Sequence, residues 1–402
     1  MTITIFRAGA AGSSTGIDLA LVTQDAAITL DSATHKGKTV ELTGSTNRTW
    51  AFTAAATLGS TWSAVLVNSG TAELTLDPNG AETIDGLTSF KMYPGEMRLV
   101  VCNGSNFFSY VIHPFYLTIN TSGAFTFTTP PGYRLFEGRL GAGGGAGGKG
   151  NTAAGSGGGG GASVPFILRA ATFGTTETIT VAASVAGQAS TNTAGTDGNN
   201  STIGSLLTSY GGGGGGGGGA TNSGGGGGGQ LSKGRTGGAA FAVTNNTANL
   251  LDILQGTVVG AGSGGLPLGG VSHTTTTVPT GSRDGGGAGG GASAIAGGGS
   301  INGGGGGGYF GTTTVQGANG GASEWGGGGG AGGAQDNAPG PGTGGASTKG
   351  GGTGGNGGYD AVVTGVDGTN GANGGGGGGG GGTESGTSGA GGAGSCAIWG
   401  VV

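Results

Sequence analysis

Charge is scarce in this chain. Lys, Arg, Asp and Glu make up 8% of its 402 residues, with a net charge of −5 and a pI near 5.1. A nucleic-acid binder would carry a basic stripe, so that class is excluded as a partner. Disorder usually pairs low hydrophobicity with high charge, and the charge is missing here, so an ordered glycine-rich surface stands at least level with a disordered linker. Cysteine occurs twice, at Cys102 and Cys396. That spacing supports neither a disulfide framework nor a CxxC metal site, so no metal or other cofactor is expected. The three histidines, His35, His113 and His273, sit in no recognisable nucleophile motif. No apolar run reaches the ~18 residues of a membrane span. The leading Met-Thr-Ile-Thr-Ile-Phe-Arg lacks the charged n-region of a signal peptide, so synthesis in a cytoplasm is expected. No segment holds a 3.6-residue apolar period, so no substantial helix is expected either.

Glycine fills the space that these absences leave. Of 113 glycines, 12 lie in residues 1–130 and 101 in residues 131–402. The shift falls at the turn signal Pro130-Pro131-Gly132. Residues 211–219 and 374–382 are uninterrupted glycine, with shorter tracts at 157–161, 224–229, 303–308 and 326–330. Glycine has no side chain to bury and loses the most backbone entropy on ordering, so a packed α-helix is excluded. Polyproline-II-like rods are the ordered alternative, because backbones without Cβ atoms approach closely enough for rod-to-rod N–H···O bonds. A nine-residue tract would span roughly 28 Å at ~3.1 Å per residue. Several such rods, joined by polar turns at 230–284, 309–325, 331–353 and 356–373, would form a slab without an oily core.

Residues 1–130 read as β throughout. Strand candidates lie at 2–6, 27–30, 39–42, 50–53, 63–68, 71–76, 89–93, 96–102 and 107–112, spaced as in a sandwich or barrel. Asp77-Pro-Asn-Gly80, Asp85-Gly86 and Pro94-Gly95 are turns with the residues that positive φ demands. Further strands are expected at 115–120, 124–129, 133–140, 163–169, 177–185 and 394–402.

The order of these pieces carries a resemblance. Leu74-Thr-Leu-Asp-Pro-Asn-Gly-Ala-Glu-Thr-Ile-Asp-Gly86, then Tyr93-Pro-Gly-Glu96, then Val101-Cys-Asn-Gly104 with Phe107-Phe108, resembles small β-domains of bacteriophage tail-fibre and tail-tip proteins. The later order of strand, Thr-Pro-x-Gly, strand, Gly-Ala-Gly-Gly-Gly, strand and polyglycine is similar to a glycine-rich domain of phage tail fibres. The closing Gly394-Ser-Cys-Ala-Ile-Trp-Gly-Val-Val402 resembles the last strand of that domain. In composition and layout the long tracts also resemble the distal adhesins of T-even-like long tail fibres. The resemblance implies an all-β N-terminal region followed by a glycine-rich domain of β-strands and packed polyglycine-II helices, in a trimeric fibre. It implies a virion-attachment segment at 1–24, a small β domain at 25–112 and a receptor-binding domain at 113–402. The implied partners are two further copies, other tail or baseplate proteins, and a host surface receptor, either a glycan or an outer-membrane protein. The place is the virion, and no catalysis is implied.

Motifs with other meanings are weak. Val258-Val-Gly-Ala-Gly-Ser-Gly-Gly265 fits a dinucleotide fingerprint by letter, but Leu-Pro-Leu-Gly-Gly follows it where a helix must begin. Gly354-Gly-Asn-Gly-Gly-Tyr-Asp360 has its aspartate one place late for a calcium β-roll and does not repeat. A polysaccharide depolymerase needs a pair of carboxylates, and the ten acids after residue 130 are isolated in sequence. Five aromatics beside the tracts, Tyr210, Tyr309, Phe310, Trp325 and Tyr359, are either receptor contacts or caps on the slab. A structural virion component, such as a capsid or baseplate decoration, is the leading alternative function. An ice-binding protein would fit the tracts but leaves residues 1–130 without a role.

Overall fold

The computed structural model describes residues 20–151, 153–218, 223–237, 286–287, 289–290, 295–311, 315–335, 340–359, 367–369, 371–372, 374–381 and 386–402. The strand expected at 2–6, the 258–265 motif and His273 lie outside these residues. The chain divides into two compact units. The first holds the described residues up to Tyr116, together with Pro130–Tyr133 and Val402; the second holds Leu117–Thr129 and Arg134–Val401. Among the described residues helix is confined to one turn at Ala55–Leu58 and a 3-10 turn at Ala170–Phe173, and the fold class is all-β.

In the first unit the chain winds between two sheets. Strands β1 (Leu21–Gln24), β3 (Thr39–Leu42) and β5 (Ser63–Asn68) pair in parallel in one sheet. Strands β2 (Ile28–Leu30), β4 (Arg48–Phe52) and β6 (Leu74–Asp77) do the same in the other. Antiparallel additions finish both: β7 (Phe90–Met92) on β6, then β8 (Met97–Cys102) and β9 (Phe107–His113) on β5. The expected sandwich is present, but parallel winding builds it. Alternation decides the inner faces. Val40, Leu42, Leu66, Val100 and Cys102 from one sheet and Leu30, Trp50, Phe52, Leu76 and Phe90 from the other form one buried core. Each indole of the core has an acceptor, Ala26 for Trp50 and Asp31 for Trp62. The Asp85-Gly86 turn holds both residues at positive φ, 53° and 82°. The Asp85 carboxylate pins it by accepting Ser109 N–H and Oγ–H.

One ion pair is buried in this unit. Arg98 and Glu96 side chains are wholly shielded, with Nε 2.6 Å from Oε1. Tyr93 N–H and the Tyr133 hydroxyl, each at 3.0 Å, also donate to the Glu96 carboxylate. The other Arg98 nitrogens reach Ser109 Oγ and the Pro131 carbonyl. Burial works against both charges, and this shell of donors and acceptors offsets it.

The second unit has two small sheets and a glycine lattice. Strands β10 (Tyr116–Ile119), β12 (Leu135–Gly141), β13 (Ser163–Arg169) and β17 (Ser395–Val401) form one sheet in the order β10-β17-β12-β13. Strands β11 (Gly123–Thr128), β14 (Thr176–Val181), β15 (Ser201–Ile203) and β16 (Leu207–Ser209) form the other. Phe127, Phe136 and Phe173 pack edge to face with ring centroids 4.9–5.7 Å apart.

The lattice is built from backbone alone. On the segment 142–149 the N–H groups of 142, 145 and 148 donate to 162, 159 and 156; those of 143, 146 and 149 donate to 199, 196 and 193; those of 144 and 147 donate to 392 and 389. Every third amide thus meets the same neighbour, the signature of a threefold polyproline-II rod. Rod 155–162 donates to the rods through 375–381, 210–216 and 305–308, and accepts from rods 142–148, 225–228 and 327–333, at 2.7–3.0 Å for the donated bonds. Those six rods also bond to one another in a closed ring, so the packing is hexagonal. Glycine is required by contact: a Cβ on Gly158 would lie 2.2 Å from the Gly145 carbonyl oxygen.

The described parts of 309–325, 331–353 and 356–373, expected as joining turns, are largely rods, and 238–284 lies outside the described residues. Residues 315–323, 340–347 and 351–359 run through the lattice and bond to rod 327–334 and to each other. They sit at its edge, where one face of three meets solvent and accepts Asn or Thr. Those side chains satisfy backbone donors that have no outer rod. Asn319 accepts Thr343 N–H, Asn356 accepts Gly344 N–H, and Thr369 accepts Asn356 N–H at 2.6–2.9 Å. Gly354 to Tyr359, within the calcium-like motif, belong to such a rod, and Asp360 lies outside the described residues.

Candidate functional site

The rods have two ends. Strands β12, β13, β16 and β17 enter or leave them beside residues 142, 162, 210 and 394, which defines a strand end. The rods finish at 218, 311, 335, 359 and 381 at the far end. The five aromatics divide between these ends. Tyr210, whose carbonyl accepts Ala162 N–H, and Trp325 lie at the strand end; Tyr309, Phe310 and Tyr359 lie at the far end.

Two of the five are not surface anchors. Tyr309 and Phe310 are 7% and 3% exposed, stacked at 4.2 Å and packed against Ala154 and Ala318. They fill the far end of the lattice, the capping role weighed for them, and burial pushes the Tyr309 hydroxyl pKa upward. Tyr210, Trp325 and Tyr359 are half-exposed.

Trp325 belongs to a larger constellation. Three turns at the strand end stack as a short parallel ladder through Ser300, Ser323 and Ser347. Trp325 N–H donates to Ile301 and Lys349 N–H donates to Glu324, which holds Trp325 in register between Asn302 and Lys349. The Lys349 ammonium lies 5.1 Å from the indole centroid and pairs with the Glu324 carboxylate. On the other side is Arg139 of β12, its guanidinium carbon 3.7 Å from the Trp325 centroid.

The sheet extends this arrangement. Strand alternation puts Glu137 and Arg139 on the same face of β12. Glu137 is opposite Trp399 on β17 and Ile167 on β13, and the Trp399 indole N–H donates to its carboxylate at 3.3 Å. A row therefore runs Trp399, Glu137, Arg139, Trp325, Lys349 across the sheet and the ladder. Trp399, Glu137, Arg139 and Trp325 are each half-exposed, and Ile167 at its border is 67% exposed.

No family model matches the chain. No curated protein matches it either. The row must be read from its own chemistry.

Arg139 is its least satisfied member. The guanidinium makes two long hydrogen bonds, to Ser163 Oγ at 3.4 Å and Asn302 Oδ1 at 3.3 Å. No carboxylate among the described residues pairs with it, although five N–H donors are available. Desolvation lowers its pKa, and the nearby Glu324 charge works in the opposite direction. The arrangement offers ring faces, a cation and hydroxyl-binding carboxylates, the chemistry of non-covalent recognition. Sequence reasoning found Trp325 and missed Arg139, Glu137, Lys349 and Trp399. Of the histidines, His35 is buried and His113 is exposed beside the Gly95 carbonyl. Among the described residues no cluster of His, Cys, Asp or Glu could hold a metal ion.

Proposed function

We propose that this chain is a bacteriophage tail-fibre adhesin. The glycine-rich second unit binds a host surface receptor without catalysis, and the first unit fixes the chain to other tail or baseplate proteins in the virion. The observation that carries the reading is the glycine lattice. Its backbone groups are satisfied rod to rod, so a rigid frame presents edge and end side chains to solvent. The order of turns and strands that resembles tail-fibre domains supports it further.

A homotrimer is part of the proposal. The outer face of the β1-β3-β5-β8-β9 sheet carries Leu21, Val65, Leu99, Val101, Phe108 and Tyr110, with Leu21 and Tyr110 about 60% exposed. A cluster of exposed apolar side chains on one face of this mixed sheet suits burial against other copies or a virion protein. The same face favours the second reading, a structural virion component with no receptor of its own.

Labelled full-length protein incubated with the bacterium on which the virus grows separates the two. Saturable binding that blocks virus adsorption is the expected result. Folded protein that stays in the particle yet binds no cell would overturn the adhesin reading.

A further inference from the structure

We infer that the Trp399–Glu137–Arg139–Trp325 row binds an acidic glycan. Arg139, stacked on Trp325, takes the ligand's carboxylate or phosphate, and the Trp399 indole lies against its sugar ring. The inference rests on the reading of the glycine-rich unit as the receptor-binding part and names the chemistry of its ligand.

Three observations converge on it. First, Arg139 is a half-buried cation in ion-pair contact with no carboxylate among the described residues, and Glu324, whose charge reaches it, is paired with Lys349. Its two protein bonds are long, and its face is already oriented by the Trp325 ring at 3.7 Å. A guanidinium taken from water without a partner is costly, and a planar anion reached by two parallel N–H groups is the partner that its geometry fits. Second, the other charges of the row have protein partners. Glu324 is paired with Lys349, and Glu137 accepts from Trp399. Arg139 is therefore the charge left for a ligand, while Glu137 keeps lone pairs for sugar hydroxyls. Third, the spacing suits a saccharide. Glu137 and Arg139 are two residues apart on one strand face, about 6.8 Å at strand pitch, the scale of one pyranose ring. The half-exposed Trp399 indole beside Glu137 offers ring surface to sugar C–H groups, while Trp325, held between Arg139 and Lys349, orients the guanidinium.

A linear polyanion is disfavoured. Nucleic acid needs several cations along a groove, and the chain as a whole carries −5. The ligand is a glycan with isolated acidic groups.

The test uses full-length protein, titrated calorimetrically and by indole fluorescence with sialyllactose as a glycan bearing one carboxylate, a phosphomannan as a phosphate glycan, dextran as the neutral control and oligothymidylate. Binding is expected for one or both acidic glycans, with a change in indole emission, and not for dextran. Arg139→Gln, which keeps a donor for Asn302 and loses the charge, should weaken binding by roughly tenfold or more, the scale of one charge-assisted pair. Arg139→Lys should recover part of it. Circular dichroism and melting verify that both variants fold; if Arg139→Gln does not, the Arg139→Lys loss and the wild-type probe preference decide. The acid that binds distinguishes a carboxylate receptor from a phosphorylated one. The proposal is overturned by binding to neither acidic glycan, by equal affinity for dextran or oligothymidylate, or by Arg139→Gln binding like the wild type. Cell binding that persists in any of those cases leaves the adhesin reading standing, whereas glycan binding without cell binding removes the adhesin reading alone.

Discussion

Substitution of Gly158 by Ala puts one methyl at the centre of the lattice. The added Cβ would lie 2.2 Å from the Gly145 oxygen and 2.6 Å from the Ala146 oxygen. Ordinary contact begins at 3.4 Å, so rod 142–149 must retreat by about 1.2 Å. That rod is held to rod 155–162 by three hydrogen bonds of 2.9 Å, from Ala142, Gly145 and Gly148. The retreat stretches them past 4 Å, beyond hydrogen-bond range. Three net bonds at about 1 kcal/mol each are lost. Reduced entropy of the unfolded chain returns about 0.4–1 kcal/mol. The expected net loss is about 2–3 kcal/mol. Gly299→Ala, where the nearest atom is 3.2 Å away, is the control and should stay within about 0.5 kcal/mol of the parent. Peptide-resolved amide exchange in rising urea reports the opening of the second unit separately from the first. Gly158→Ala that is as stable as the parent, or more stable, would refute the reasoning, because that is the behaviour of a tract without rod contacts.

In the first unit, Arg98→Met leaves the Glu96 carboxylate buried without its cation and should cost about 3–5 kcal/mol in urea unfolding. The double change Glu96→Leu with Arg98→Met should cost distinctly less, and equal losses would contradict the ion-pair account. Burial lowers the His35 pKa, against a weaker opposing pull from Asp31, and Nδ1 accepts Asp31 N–H. A base with a depressed folded pKa stabilises above its unfolded value near 6.5 and loses that contribution as pH falls through the folded value. Stability of the first unit should therefore fall between pH 7 and 5, and His35→Gln should flatten that slope in pH-dependent melting. Burial pushes the Cys396 thiol up to about 12, so it should resist thiol reagents at pH 8 until the second unit unfolds.

The strands were legible where period-two alternation met turn chemistry. The stretches 63–68 and 163–169 match β5 and β13 residue for residue. β1 was not, because Leu21–Gln24 shows little burial and becomes a strand through its parallel partner β3. β15 and β16 are three residues each, too short for a pattern to emerge. The second unit begins at Leu117, and Pro130–Tyr133 belongs to the first unit through the Tyr133 hydroxyl on Glu96, a contact between residues 37 apart that local pattern does not reveal. The pure glycine tracts declared themselves as rods. Edge rods such as 340–347 did not, because Thr343 and Ala346 face outward and break the glycine run while the inward contacts stay intact. Burial of Tyr309 and Phe310 depends on Ala154 and Ala318, which only the lattice brings beside them. The row on β12 and β17 was hidden for the same reason: Glu137 and Trp399 are 262 residues apart.

Amide hydrogen exchange over 157–161, 212–213, 215–216 and 375–381 tests the account most directly. An ordered lattice predicts that these glycine amides, each bonded to a neighbouring rod, exchange only with opening of the whole second unit. Exchange at the rate of a free glycine peptide, while the flanking β12 and β13 amides remain protected, would contradict it.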